Sequence, residues 1–525
     1  MRDFHLPGRS PVLCDNGMCA TSHPLGAQIA VETLRRGGNA ADAAIAGAIM
    51  LGLCEPAMTG IGGDCFALVK PAGREDVVAL NGSGKAPAAA TAQALRALGM
   101  RTVPVDSAHA VTLPGAVDAF CSLSEAHGTL GIADIISPLI PYFETGIPVA
   151  PRAAFDWTQA GERIKGGARD VYLNGGKPFQ KGERFALPGQ AKVLKKIAKE
   201  GRAGFYEGEV MEDMLNTLRG LGGVHTADDF AAVQCDWTDP IEGEYRGTTL
   251  VEHPPNGQGA TAILMNNIIS LFDLSKLDPY GAGRAHLEAE AAKLAYDARN
   301  RLLADPEHTT RLAHMLDPKT AQHLAEFIHP RRAMKTVAPL TEAVHKDTIY
   351  ITVVDKDRMA VSLIYSIFHS FGAGLASDKF GILFQNRGAG FTLERWHPNE
   401  YGGGKRPMHT IIPAMLKEGG RVVMPFGVMG GGYQPNGHHR VLSNIKDFDM
   451  DPQTAIDGAR SFADEGVLKV ERGYSDPVRA ELYAMGHDVE IPETPIGGAQ
   501  AIWIDAAGHL EGASDPRKDG CALGY

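Results

Sequence analysis

Read for the alternation of apolar and polar positions, the chain begins with a helical hairpin. From His23 to Cys54 the run HPLGAQIAVETLRRGGNAADAAIAGAIMLGLC gives two Ala-rich helices, broken at Gly37-Gly38-Asn39, where paired glycines suit a left-handed helix end. The stretch Ala43 to Cys54 is apolar all round but only about a dozen residues long. That is below the roughly 20 needed to cross a bilayer, so it reads as a buried helix. After GIGGD (60–64) the pattern switches to period two, and CFALVKPAGREDVVALNGSGKAP predicts two strands around a Pro-Ala-Gly turn.

From about Ala116 to Leu340 apolar residues recur every three or four positions, in segments such as GQAKVLKKIAKEG, ATAILMNNIISLFDL and GRAHLEAEAAKLAYDARNRLL. This middle reads as helical bulk. At His345 the character changes. HKDTIYITVVDKDRMAVSLIYSIFHSFGAG predicts two long strands joined at Lys356-Asp357-Arg358, and RVVMPFGVMGGGY, LKVER and QAIWIDAAGHLEGAS continue as strands and turns. No linker or repeat separates the helical part from the strand-rich part, so one shared core is expected.

Composition narrows the partners. The chain has 525 residues, 44% hydrophobic and 22% charged, with 51 Lys+Arg against 62 Asp+Glu, a formal charge of −11. That balance offers no global attraction for nucleic acid or an anionic membrane, so a small molecule is the expected partner. Seven scattered cysteines without a C-x-x-C pair argue against a disulfide scaffold or zinc ribbon. The N-terminal MRDFHLPGRS lacks the apolar segment of a secretory signal, which points to a cytoplasmic protein.

Several apparent motifs fail on inspection. NGSGKAP has Ala86 where a phosphate loop needs Ser or Thr, and GVMGGGY lacks the acidic residue of a dinucleotide fingerprint. His438 and His439 are neighbours, and on a strand they would face opposite ways, so a solvated loop pair is expected rather than a metal site. No G-x-S-x-G occurs. No cofactor and no metal are expected.

What remains is a set of glycine-rich segments at the ends of apolar runs: GGNAADAA, GIGGD, NGSGKAP, LPGAVDAF, DTIYITVVD, NRGAGF, GKRPMHTIIPAM, GVMGGGY and GASDP. As a set, these resemble the gamma-glutamyltransferase family of N-terminal-nucleophile hydrolases nearly end to end. The resemblance implies an α+β fold, the four-layer αββα sandwich. It also implies a proenzyme that cuts itself before a threonine, whose freed α-amine then serves as base for its own hydroxyl. The matching threonine in HKDTIYITVVDKD is Thr348. A cut between Asp347 and Thr348 would leave a large fragment, 1–347, and a small strand-rich fragment, 348–525, held together as a heterodimer.

The resemblance also assigns Ser366 as an assisting hydroxyl and Gly430 and Gly431 as donors to the tetrahedral oxyanion. His409 and Thr410 hold the places of two small hydroxyl residues near the substrate carboxylate, and only Thr410 keeps the hydroxyl. The departures bear on substrate. Where gamma-glutamyl enzymes have a carboxylate-binding arginine this chain has Ser83, and where they hold an α-ammonium with Gln and Asp it has Arg387 and Gly390. A guanidinium does not recruit an ammonium but does bind a carboxylate in a fork. The resemblance therefore implies hydrolysis of a small anionic amide, of oxamate or glutaryl type. Two readings stay open beside it: a true gamma-glutamyl hydrolase or transferase, and an unprocessed scaffold that binds a metabolite. Arg387 as a structural residue is a further alternative.

Overall fold

The computed structural model describes residues 8–334 and 348–525. Asp347, on one side of the expected cut, lies outside the described residues, as does the end of the helical stretch expected to reach Leu340. Two seven-stranded sheets form the centre. Numbered in chain order, the sandwich strands are β1 (Val12–Cys14), β2 (Met18–Thr21), β3 (Asp64–Lys70), β4 (Val78–Gly82), β5 (Asp236–Thr238), β6 (Ile241–Tyr245), β7 (Thr248–Glu252), β8 (Ile349–Val354), β9 (Ala360–Ser366), β10 (Ala414–Glu418), β11 (Arg421–Met429), β12 (Gly498–Ile504), β13 (Leu510–Ser514) and β14 (Cys521–Gly524). One sheet runs β1-β13-β12-β11-β10-β7-β6 and the other β14-β2-β8-β9-β3-β4-β5, every pair antiparallel.

Helices cover both outer faces. On the second sheet lie α1 (Pro24–Arg35), α2 (Ala40–Cys54) and α3 (Ala116–His127); on the first lie α4 (Gly259–Ile269), α6 (Gln434–Phe448) and α7 (Pro452–Asp457), with α5 (Ala282–Leu302) packed on α4. The result is the four-layer αββα sandwich. The predicted hairpin is present, and its ends have local causes. Pro24 opens α1 where a missing N–H costs nothing. Gly37, at φ +95°, turns the chain after that helix. Asn39 caps α2 by accepting from Ala41 and Asp42 N–H, and Asp42 returns a bond from the Asn39 N–H. All fifteen residues of α2 are buried, which is why its pattern shows no polar face.

Strands β8 and β9 are also buried on both faces. Ile349, Ile351, Val353, Val361, Leu363 and Tyr365 join the core under the helices, whereas Tyr350, Val354, Ala360 and Ile364 face the other sheet. The sequence reading of the middle needs one correction: β5, β6 and β7, between 236 and 252, interrupt the helices and close one end of both sheets. β5 is exposed and β6 mostly exposed or half-exposed, with charges at 236, 239, 242 and 244, so the apolar signal of a buried strand is missing there; β7 is mostly buried but only five residues long.

Candidate active site

Register brings the first pair together. Ile349 pairs with Tyr365, so the residues one step further along, Thr348 and Ser366, face each other on the side of the sheet that looks toward the other sheet. Thr348 Oγ1 donates toward Ser366 Oγ at 3.3 Å, and both residues are buried. The chain after β9 turns back, so that the Phe368 N–H donates to the same Ser366 oxygen at 3.0 Å.

Arg387 reaches this oxygen from a short helical turn, Arg387–Gly390. Its Nη2 donates to Ser366 Oγ at 3.2 Å and its Nη1 to Thr410 Oγ1 at 2.9 Å, while the guanidinium lies 4.0 Å above the Phe368 ring. The turn is anchored by its neighbours. Gln385 donates to Asp64 Oδ1 at 2.8 Å, and Asn386 donates to the Val105 carbonyl at 2.8 Å and to His369 Nδ1 at 2.9 Å. Gly388 is needed because a Cβ there would stand 2.8 Å from the Ala110 carbonyl oxygen.

Arg387 is fully buried, and its Nε has no hydrogen-bond partner among the described residues. No carboxylate of those residues forms an ion pair with it; Asp64 acts on it only at longer range. Burial pushes the Arg387 pKa down to about 9, which still leaves a cation at neutral pH. His409, also fully buried, donates from Nε2 to Asp64 Oδ2 at 3.0 Å, while its Nδ1 accepts from the Ile411 N–H at 3.3 Å. Burial first, and the nearby Arg387 second, lower the His409 pKa to about 3, so the imidazole is neutral and Arg387 is the cation here.

Thr410 is tied to the turn that carries the two glycines. Gln258 Nε2 donates to the Thr410 carbonyl at 2.6 Å and to the Gly431 carbonyl at 2.9 Å, and Gln258 Oε1 accepts from Arg299 Nη1 at 2.8 Å. Gly430 and Gly431 end β11 with φ of +116° and +55°, a backbone path that side chains resist, before α6 begins. Ser83 follows β4, two strands from β9 in the same sheet. Its hydroxyl accepts from Asn256 Nδ2 at 3.1 Å and its carbonyl from Arg406 Nε at 2.7 Å, with no bond to Arg387. Asn256 joins it to the site, since the His409 N–H donates to the Asn256 carbonyl at 2.7 Å. A cleft of about 560 Å³ opens from Phe368, Gly390 and Thr410 toward Trp396 at the surface.

Sequence reasoning did not pick out Asp64, Asn256, Gln258 or Arg299. The signal for Asp64 was available, an acid closing GIGGD before an apolar strand. The adjacent histidines are a second correction. His438 and His439 are not in a solvated loop but on α6, both fully buried. Pro435 helps start that helix, and between sheet and outer helices two neighbouring positions both face protein. His438 Nδ1 donates to Glu252 Oε1 at 2.6 Å and its Nε2 accepts from the Val428 N–H at 3.3 Å; His439 Nδ1 contacts Asn266 Oδ1 at 2.7 Å.

The fold and the site define an N-terminal-nucleophile hydrolase architecture, and comparison with known proteins agrees. The structure overlays a cephalosporin acylase from Bacillus halodurans with a TM-score of 0.93 and 34% identity, covering 100% of this chain and 99% of that one. A gamma-glutamyltranspeptidase family model matches residues 26–525, and the chain belongs to that family. It is 34% identical to the glutathione hydrolase-like YwrD proenzyme of Bacillus subtilis strain 168, over 97% of this chain and 98% of that one. It is 31% identical to the oxamate amidohydrolase proenzyme of Klebsiella pneumoniae subsp. pneumoniae, again over 97% and 98%.

Proposed function

We propose that the protein is a self-processing amidohydrolase that cleaves a small amide whose acyl part carries a free carboxylate and no neighbouring amine. Scission between Asp347 and Thr348 converts residues 1–347 and 348–525 into a two-fragment enzyme and frees the Thr348 α-amine. With an ordinary pKa of about 7.7–8.0, that amine is partly neutral near physiological pH and takes the proton from its own Oγ1. The hydroxyl oxygen adds to the substrate carbonyl, and the Gly430 and Gly431 N–H groups receive the charge on the tetrahedral oxygen. The amine leaves with the proton. Water, activated by the same α-amine, then hydrolyses the Thr348 ester and releases the acid.

The observation that carries the substrate assignment is Arg387. A fully buried guanidinium without a described carboxylate partner, one hydrogen bond from Ser366 and two from Thr348, is an incomplete ion pair at the reacting atoms. A substrate carboxylate completes it, with Thr410 and Ser366 orienting the fork and Phe368 supporting its face. The relative named as an oxamate amidohydrolase supports a carboxylate-bearing acyl group, and the one named as an acylase supports amide cleavage. The YwrD relative supports a second reading, hydrolysis of a gamma-glutamyl amide.

A substrate panel of oxamate, glutaryl and gamma-glutamyl amides separates the two. Turnover of the first two over glutathione supports the proposal, and glutathione as the best substrate establishes the second reading. Thr348→Ala is expected to stay a single band on a denaturing gel and to be inactive, with Thr348→Ser retaining part of both functions. Full amidase activity in the alanine variant overturns the nucleophile assignment.

A further inference from the structure

Among the described residues outside the active site, one group of side chains has the composition and placement of a metal centre. His286, Glu290 and His487 each offer a ligand atom, and these atoms lie within 4.8 Å of one another. His286 and Glu290 are four residues apart on α5 and so share one helix face. His487 arrives from the loop after the Asp476–Ala484 helix. All three residues are buried.

The histidine geometry is the informative part. His286 Nε2 lies 2.8 Å from the His329 carbonyl oxygen, which fixes the proton on that nitrogen and leaves Nδ1 as a lone pair. A backbone carbonyl holding the far nitrogen is the usual outer partner of a metal-bound histidine. Nδ1 points at His487 Nε2 across 2.7 Å, and Glu290 is adjacent. Without an ion the two nitrogens share one proton, a modest return for burying two imidazoles together. Glu290 already accepts from Lys293 Nζ at 2.6 Å and from the Met334 N–H at 2.7 Å, and a carboxylate has lone pairs to spare.

We infer that His286, Glu290 and His487 form a binding site for a borderline divalent cation of the Zn²⁺ class. Two imidazoles and one carboxylate, with water as fourth ligand, are a donor set that Zn²⁺ accepts. Tetrahedral bonds of about 2.0–2.1 Å place donors about 3.3 Å apart, so the two rings open by about 0.6 Å from their hydrogen-bonded separation of 2.7 Å. His286 and Glu290 precede Thr348 and His487 follows it. If the chain is cut as proposed above, the ion clamps the two fragments together; the site itself does not depend on that cut.

The test uses the full-length protein after dialysis against EDTA, titrated with Zn²⁺ in a calorimeter, and with Co²⁺ followed by visible absorption. One equivalent of tightly bound Zn²⁺, a raised melting temperature and a low-symmetry Co²⁺ spectrum are expected. His286→Gln and His487→Gln should each weaken binding by more than the roughly 10–100-fold that loss of an outer partner costs. Thr348→Ala should bind Zn²⁺ like the wild type, which separates this inference from the nucleophile assignment. Absence of a stoichiometric site in the wild type, or unchanged Zn²⁺ affinity in both folded histidine variants, overturns it.

Discussion

At the residue scale, chemistry in this protein converges on one oxygen. Ser366 Oγ receives donors from Thr348, Phe368 and Arg387, so it positions the proposed nucleophile and the proposed substrate-reading cation together. Ser366→Ala removes that acceptor, and kcat is expected to fall by about 10–100-fold, in line with 1–3 kcal/mol for a buried group left unsatisfied; Ser366→Thr, which restores the hydroxyl, should recover part of it. Arg387→Gln should raise KM for a carboxylate-bearing amide at least tenfold more than for a neutral one, because only the former loses a charge-assisted pair. Equal changes for both substrates would make Arg387 structural. Thr348, Ser366, Arg387 and Thr410 were legible as a set through the family resemblance, and the structure joins them by hydrogen bonds. Asn256 and Gln258 were not, because single amides in a loop carry no periodicity and reveal their role only through the groups they bridge.

At the element scale, what matters is how closely the two sheets approach. Gly427 on β11 faces the Tyr350 ring on β8, and a Cβ there would stand 2.3 Å from a ring carbon. Tyr350 is held by Ser362, so it does not swing away freely. Gly427→Ala is expected to destabilise the protein by about 1–3 kcal/mol, read as a lower denaturant midpoint, and to reduce activity by pushing apart the strands that bear Thr348 and Gly430. Glu55, at the end of α2, accepts a hydrogen bond from Ser22, and burial raises its pKa to about 7. The folded state therefore holds this proton more tightly than the unfolded chain, whose glutamates titrate near 4.3. The contribution is complete below about pH 4 and is lost as pH rises through about 7, with a slope of up to about 1.4 kcal/mol per pH unit. Melting temperatures recorded across that window should show the wild type losing stability relative to Glu55→Gln, which cannot ionise. Parallel curves would remove Glu55 as the cause.

At the scale of the whole molecule, the strands on either side of Thr348 interleave. In one sheet β8 and β9 lie between β2 and β3, and in the other β10 to β13 lie between β1 and β7. A chain cut before Thr348 should thus run as two bands on a denaturing gel yet elute as one species from a sizing column, and should unfold in a single transition; separation of the fragments without denaturant would contradict the shared core. Among the described residues no helix is long and apolar enough to cross a membrane, as the length of the Ala43–Cys54 run already implied. The sequence by itself determined the elements whose causes are local: the helical hairpin with its Gly37 turn and Asn39 cap, the hairpin of β8 and β9, and the motif set that names the family. Tertiary structure alone decided that 236–252 forms strands, that His438 and His439 are interior, and that Arg387 lies beside Ser366 and Thr410 rather than a carboxylate. These depend on which surfaces meet. A half-exposed strand, a histidine's burial and a missing counter-charge are properties of partners distant in the chain, and no local pattern encodes them.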